Sequence, residues 1–327
     1  MNHEDELVAW LQTLDPGTGL DRPGDDAAVL GRGRTARALT VDQQIAGVHV
    51  PSDLDPGVWA RRLLAVNLSD LAAMGARPEA ALLALAVPEE FPHRAFLRAT
   101  VAACRSAGAR LAGGDVARSS TAVTSMTLLG RRPPKGRWLR RNTGRPGDRL
   151  WVGGELGISA LGQRLVARGA RQKGRRVELP DLGPASSAVT RAAKHAVRRH
   201  LAPTPQLALG EWLGRRRAAV IDVSDGLTRD LHRLCRASGV GATISLDAVT
   251  KTRTSETLAR AEGVSFLSLV LGGGEDYVLL FATGPRTTPP AHFGARPIGW
   301  LTAERGLWSE TDGRRSPLEA EGWDHLA

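Results

Sequence analysis

Five carboxylate-bearing turns recur along this 327-residue chain: Gly24-Asp25-Asp26, Asn67-Leu68-Ser69-Asp70, Gly113-Gly114-Asp115, Asp222-Val223-Ser224-Asp225-Gly226 and Gly272-Gly273-Gly274-Glu275-Asp276. A single Asp-Gly stretch is ordinarily a turn or a helix N-cap. Five of them at the ends of apolar segments, in a basic protein, point to a shared site. Two unit charges about 4 Å apart at an effective dielectric near 20 repel by roughly 4 kcal/mol, so carboxylates that converge need compensation. Hard divalent cations supply it. Carboxylate oxygens suit Mg²⁺ or Mn²⁺ and give little reason to invoke zinc, and Mg²⁺ typically joins a few carboxylates to water and substrate phosphates. The implied ligand is a phosphate compound.

Composition bounds the rest. The length favours two domains, each large enough to bury a core, and 42% apolar with 24% charged residues describes a globular enzyme. The acidic start, Met1-Asn2-His3-Glu4-Asp5-Glu6-Leu7, lacks the basic and apolar regions of a signal peptide, and no stretch offers about 18 consecutive apolar residues. A cytoplasmic location is the expectation. Cys104 and Cys235 are the sole cysteines and are expected as two buried thiols. The net charge of +10 comes mostly from arginine, clustered at 131–132, 137–141, 171–176, 198–199 and 215–217. No zinc finger, aromatic-flanked RNA motif or basic zipper accompanies these clusters, so they read as solvated faces and anion contacts rather than a nucleic-acid footprint. None of the lysines, at 135, 173, 194 and 251, stands in the Gly-Lys-Ser/Thr context of a P-loop. A nucleotide would be held some other way.

Helical spacing covers Glu4 to Leu14, followed by an Asp15-Pro16-Gly17 turn. Ala27 to Leu30 and Ala36 to Val41 read as a strand hairpin. Asp55-Pro56-Gly57 starts a helix, with Asp as N-cap and Pro at the first position, and Gly75 with Pro78 ends it. That helix is apolar on most sides, yet Asn67 and Asp70 share one face three residues apart. A polar pair there must be satisfied or functional, because an unpaired buried carboxylate is very costly. A strand is expected at Ala80 to Val87, a helix at Pro92 to Ala107, a short run from Arg110 that delivers Asp115, and a strand at Ala122 to Leu129. The Arg-, Pro- and Gly-rich stretch 131–148 marks the junction, dividing the chain into 1–140 and 141–327. Beyond it come a strand at Arg149 to Val152, a helix at Gly157 to Arg168 and a surface loop over 169–185. A strand is expected at Ala218 to Val223, with Asp222 and Ser224 on one side where the strand persists to Ser224, and Asp225-Gly226 opens a helix from Leu227 to Ala237. Leu267 to Leu271 and Val278 to Ala282 read as strand, turn and strand with Glu275 at the bend. Together these describe an α+β or α/β two-domain enzyme.

The succession Gly24-Asp25-Asp26-Ala27-Ala28-Val29, Thr40-Val41-Asp42 ahead of Gly47-Val48-His49, Val66-Asn67-Leu68-Ser69-Asp70-Leu71-Ala72-Ala73-Met74-Gly75-Ala76, Gly113-Gly114-Asp115, Asp222-Val223-Ser224-Asp225-Gly226-Leu227, Gly273-Gly274-Glu275-Asp276-Tyr277 and Gly322-Trp323-Asp324-His325 resembles the thiamine-monophosphate kinase family. The likeness runs in order from about residue 20 to the C-terminus. It implies the two-domain α+β fold of the aminoimidazole ribonucleotide synthetase-like ATP-binding superfamily, with N-terminal strands forming a dimer barrel and hence a homodimer. It also implies direct in-line phosphoryl transfer from ATP to thiamine monophosphate, giving thiamine diphosphate. By the same resemblance, Asp26, Thr40, Val41, Asp42, Asp70, Asp115, Asp222 and Asp225 would hold several Mg²⁺ ions, with Asp42, Asp70, Asp115 and Asp222 central to catalysis. Gly114, Asp115, Arg141 and Ser224 would contact ATP, and His49, Glu275 and Trp323 the acceptor. A phosphate monoester is largely dianionic at neutral pH, so the acceptor needs charge neutralisation and alignment rather than a strong base.

Five positions depart from the family pattern. Val41 stands for the usual threonine before Asp42, so any ligand from residue 41 is its backbone carbonyl. Ala46 replaces a frequent glutamate, Val50 a frequent aromatic residue, and Val116-Ala117 the usual threonines. The competing reading is a catalytically silent or acceptor-altered paralogue that acts as a nucleotide-binding dimer. Selenophosphate synthetase and the hydrogenase-maturation member each need a reactive terminal cysteine that this chain lacks.

Overall fold

The computed structural model describes residues 3–14, 24–183, 185–249 and 253–323. The chain runs through α1 (His3–Leu14), β1 (Ala28–Leu30), β2 (Arg37–Ile45), α2 (Pro56–Ala73), β3 (Arg77–Val87), α3 (His93–Ser106), β4 (Arg110–Arg118) and β5 (Val123–Arg131). It continues with β6 (Arg149–Val152), α4 (Ile158–Ala167), β7 (Arg171–Lys173), β8 (Arg176–Glu178), α5 (Ser187–Leu201), α6 (Leu207–Leu213), β9 (Ala218–Asp222) and α7 (Leu227–Ser238). Last come β10 (Gly241–Ser245), α8 (Leu246–Val249), α9 (Arg253–Ala261), α10 (Phe266–Gly272), β11 (Leu279–Thr283), β12 (Arg296–Thr302), β13 (Leu307–Thr311) and β14 (Arg314–Pro317). One sheet has the order β1-β2-β5-β3-β4 and a second β14-β13-β10-β12-β6-β11-β9, with β7 and β8 paired apart. Helices and mixed sheets in two halves give the expected α+β architecture.

Helix α2 joins the halves. The Asp55 side chain accepts the Val58 amide at its start, as the Asp-Pro-Gly signal requires, and Gly75 at φ +67° follows its end. Trp59, Leu63, Leu64 and Leu71 are buried on it, and full burial of such a side chain contributes about 1.5–3 kcal/mol. One side of α2 packs on β2 and β5, and the other on α6, β9 and β11. In α6, Gly210 lies so close that a Cβ there would be 2.1 Å from the Ala72 carbonyl oxygen.

The β1–β2 hairpin forms with Ala28 opposite Leu39. Strand β4 passes beyond Asp115 to Arg118, parallel to β3. Two expectations are corrected. Leu267 to Leu271 belongs to a helix, α10, not a strand: Phe266 and Val270, four apart, are both buried, so the run has a helical apolar face that five aliphatic residues do not disclose. Within 169–185, β7 and β8 form a small hairpin turned at Gly174, φ +57°, and three-residue basic strands carry little alternation to read. The Asp15-Pro16-Gly17 turn, Asp324 and His325 lie outside the described residues. No described helix is long and apolar enough to cross a membrane, and Cys104 and Cys235 are buried free thiols.

Gly210→Ala is expected to destabilise the protein by about 1–3 kcal/mol, the usual cost of overpacking a tight contact. Urea unfolding of the variant beside the parent protein measures it.

Candidate active site

A cavity of 1540 Å³ opens where α2, β2 and the C-terminal half meet. At its base, carboxylate oxygens of Asp26, Asp70 and Asp222 lie within 4.8 Å of one another. They come from a bend before β1, from α2 and from the end of β9. Thr40 Oγ1 donates to Asp70 Oδ2 at 2.5 Å, Ser69 Oγ to Asp222 Oδ2 at 2.6 Å, and the Asp222 amide to Asp26 Oδ1 at 3.4 Å. Burial pushes the Asp70 carboxyl well above the ordinary range, helped by the charges of Asp42, Asp222 and Asp26. Asp222 rises in the same way, by burial and then by Asp26. Hard oxygen donors whose charges resist coexistence fit a divalent cation.

Thr40 and Asp42 share the face of β2 that looks onto α2, whereas Val41, 64% exposed, points to the other. The buried Asn67 resolves the polar pair on the helix: its Oδ1 accepts the Asp42 amide and its Nδ2 donates to Leu63 O. Asn67 fixes the strand and Asp70 serves the cluster. Arg141 reaches the cavity paired with Asp26 at 3.0 Å, while Arg140 pairs with Asp25 at 2.6 Å. Burial works against the Arg141 charge, but Asp26, with Asp25 and Asp230, holds its pKa above the usual value.

Strand β9 stops at Asp222, so Asp222 and Ser224 do not share a strand face as expected, although both line the cavity. Asp225 is ion-paired with Arg233. Asp230 shapes this turn by accepting the Ser224, Asp225 and Gly226 amides at 3.1, 3.1 and 3.2 Å. Burial and the Asp225 charge raise it to about 7. Its signal was an acidic residue in the first turn after Asp-Gly, a helix-start pattern. Asp276, in the glycine-rich motif, caps α4 through the Gly157 and Ser159 amides at 2.7 and 3.2 Å. Burial raises it to about 7.

On the opposite wall, Glu275 sits at φ +56° with its amide on Ser224 O. Its Oε1 pairs with Arg62 Nη2 at 2.5 Å and its Oε2 with His200 Nδ1 at 3.1 Å. Burial would raise this carboxyl, but Arg62, then His200 and His49, outweigh it and hold it at about 2. The His49 ring accepts the Ile45 amide through Nδ1. Trp323, 53% exposed, lines the cavity and donates its amide to Asp225 O. Arg62 and His200 carried no sequence signal, since an arginine in an apolar helix and a histidine in a basic one have no distinctive spacing.

Gly114 and Asp115 are not brought to this cavity within the chain. They lie on β4 at the far edge of the first sheet, with β5 and β3 between it and β2. Asp115 is in the cross-strand row of Gln43, Ser125 and Ala84, on the face away from α2. Three strand spacings make roughly 14 Å. Gly114 has a packing reason of its own: a Cβ there would stand 1.8 Å from the Leu83 carbonyl oxygen.

The chain matches the AIR synthase related protein N-terminal domain over residues 24–131 and the C-terminal domain over residues 145–272. A two-domain AIR synthase-related protein is therefore the class that fold and sequence define. A thiamine-monophosphate kinase of Salmonella typhimurium is 35% identical, the match covering 96% of this chain and 93% of that protein. One of Corynebacterium glutamicum is 30% identical over 96% and 91%. Among solved structures, AaThiL complexed with AMPPCP and TMP superposes with a TM-score of 0.84 at 25% identity, covering 98% of this chain and 96% of that one. The thiamine-monophosphate kinase of Stenotrophomonas maltophilia gives 0.72 at 31% identity over 94% and 95%. The chain belongs to the thiamine-monophosphate kinase family.

The raised Asp70 and Asp222 set a pH dependence. A carboxyl whose folded pKa lies above its ordinary 3.8 contributes stability that is full below that value and is lost as pH rises toward the folded pKa. In EDTA, the melting temperature of the parent protein is expected to fall between pH 5 and pH 8 more steeply than that of Asp70→Asn. Mg²⁺ should restore the parent and leave the variant nearly unmoved, read by scanning fluorimetry.

Proposed function

We propose that this chain transfers the terminal phosphoryl group of ATP directly to the phosphate of thiamine monophosphate, yielding ADP and thiamine diphosphate with Mg²⁺. The observation that carries the reading is the convergence of Asp26, Asp70 and Asp222 at the base of a large cavity, in a chain of the thiamine-monophosphate kinase family. An acceptor oxygen forms a bond to the γ-phosphorus as the bond to the bridging oxygen breaks, and ADP leaves with the electron pair. Asp26, Asp70 and Asp222 would hold the metal, with Asp42, Asp225, Thr40 and the Val41 carbonyl as further candidate ligands. Bound Mg²⁺ would neutralise phosphate charge in the transition state.

Arg141 and Ser224 take the nucleotide side, and Asp26 keeps Arg141 charged and fixed. His49, Glu275 and Trp323 take the acceptor, an indole ring being a suitable neighbour for a thiazolium cation. No side chain has to act as a strong base, because the acceptor phosphate is already largely ionised at neutral pH. The chain divides into a nucleotide- and metal-binding half over 1–140 and a second half over 141–327. It acts in the cytoplasm.

A homodimer completes the site. The first sheet turns an open face away from α2 that includes Val41 and Leu82, 51% exposed, and β4 is its free edge. A long apolar-faced edge strand ordinarily finds a partner. Pairing two copies through these strands into a barrel covers the face and gives Asp115 and Gly114 a route to the other copy's cavity.

Purified protein with MgATP is expected to form ADP only when thiamine monophosphate is present, with equimolar thiamine diphosphate by chromatography. ATP binding without acceptor-dependent ADP would favour the silent paralogue. Asp70→Asn and Asp115→Asn should each lower turnover at least about 100-fold, the scale of losing one charge-stabilising group. Refolding the two inactive variants together should then recover about a quarter of the parent rate if sites are shared between copies. No recovery would place Asp115 outside a shared site.

A further inference from the structure

Tyr277 closes the Gly273-Gly274-Glu275-Asp276-Tyr277 motif and lines the cavity with Glu275, Asp42, Asp70 and Asp222. Asp276 before it and Val278 after it are buried, whereas Tyr277 keeps part of its surface open. Its hydroxyl has no hydrogen-bond partner among the described residues and is not one of the polar atoms sealed in the interior. The backbone holds the ring in an uncommon position. Tyr277 sits at φ +49°, two residues after Glu275 at φ +56°, a region that bulky side chains seldom enter and that persists where the surroundings fix it, often at ligand sites. Two backbone bonds do the fixing: the Glu275 amide donates to the Ser224 carbonyl at 2.6 Å and the Tyr277 amide to the Val223 carbonyl at 2.8 Å. They tie the acceptor wall to the turn that follows Asp222.

The ring has the Arg62 guanidinium carbon 5.9 Å from its centre. The charges acting on its hydroxyl come from both walls, Glu275 from one and Asp42 and Asp222 from the other, and together with burial they push the phenol well above its ordinary pKa of 10. The proton therefore stays on the oxygen at neutral pH. Phosphate oxygens accept hydrogen bonds and a protonated phenol supplies one, with the charge on the acceptor strengthening the bond. We propose that the Tyr277 hydroxyl donates a hydrogen bond to the phosphate of thiamine monophosphate and so orients its attacking oxygen toward the nucleotide. The inference rests on the thiamine monophosphate reading and adds a substrate-positioning residue to it. Glu275 and Tyr277, two residues apart on one strained segment, then serve two parts of one acceptor.

The test uses the full chain and Tyr277→Phe, which removes one oxygen and keeps the ring beside Arg62. Calorimetry in Mg²⁺ gives Kd for thiamine monophosphate and for thiamine, which lacks the phosphate, and ADP release gives kcat and KM for each substrate. The variant should bind thiamine monophosphate about tenfold or more weakly, the scale of one hydrogen bond to a charged group. Its affinity for thiamine, its KM for ATP and its melting temperature should stay as in the parent protein. Equal weakening of thiamine and thiamine monophosphate overturns the inference, because the hydroxyl would then act on the ring system or on the shape of the pocket. Unchanged binding of both overturns it as well. If the parent protein binds thiamine monophosphate but forms no ADP with it, the kinase assignment fails while the two Kd values still decide the role of Tyr277. If it does not bind the compound, both fail.

Discussion

Three carboxylates that repel one another set the terms for this structure. Asp26, Asp70 and Asp222 come from segments nearly 200 residues apart and meet at one place. Burial and neighbouring charge both oppose the ionisation of Asp70 and Asp222, and hydrogen-bond donors restrain the three side chains. Thr40, Ser69 and Arg141 each donate to one member of the set. The fold can be understood as the framework that holds these donors against that repulsion.

Helix α2 is the spine of the framework. Asn67 and Asp70 face the first sheet, where they hold the Asp42 amide and take the Thr40 hydroxyl. Arg62 and Ser69, seven residues apart and so on one stripe, face the second half, where they bind Glu275 and Asp222. Two adjacent stripes therefore lock two halves of the chain to one rod. Close packing at Gly210 leaves the rod little room to shift. An arginine at full burial is tolerated because Glu275 and the His200 carbonyl neutralise and bind it.

The third acidic motif stands apart from the cavity. Gly114 and Asp115 belong to the same family of acidic turns as Asp26 and Asp70, yet β4 carries them to the opposite edge of the sheet. The chain that brings four of its five acidic motifs to one cavity holds this pair apart, beside a face with exposed Val41 and Leu82. The homodimer proposed above would reconcile the two facts.

Much of this was legible in the sequence. Turn chemistry and apolar spacing marked α2, its Asp55 cap and its Gly75 stop, the β1–β2 hairpin and α7, because these depend on residues close together in the chain. The acidic motifs pointed to a shared carboxylate site for the same reason: each is a local signature in the chain. Other features were decided only by tertiary contact. Leu267 to Leu271 became helix because Phe266 and Val270 both found core, a matter of distant neighbours and not of the run itself. Arg62 and His200 are unremarkable in sequence and acquire their place from Glu275, which both of them bind. Gly114 shows the reverse, a motif glycine whose place is fixed by the Leu83 backbone. Local sequence determined which chemistry the chain carries, and long-range packing decided which of those groups meet, since charge, distance and solvent exclusion at a site are properties of convergence in space.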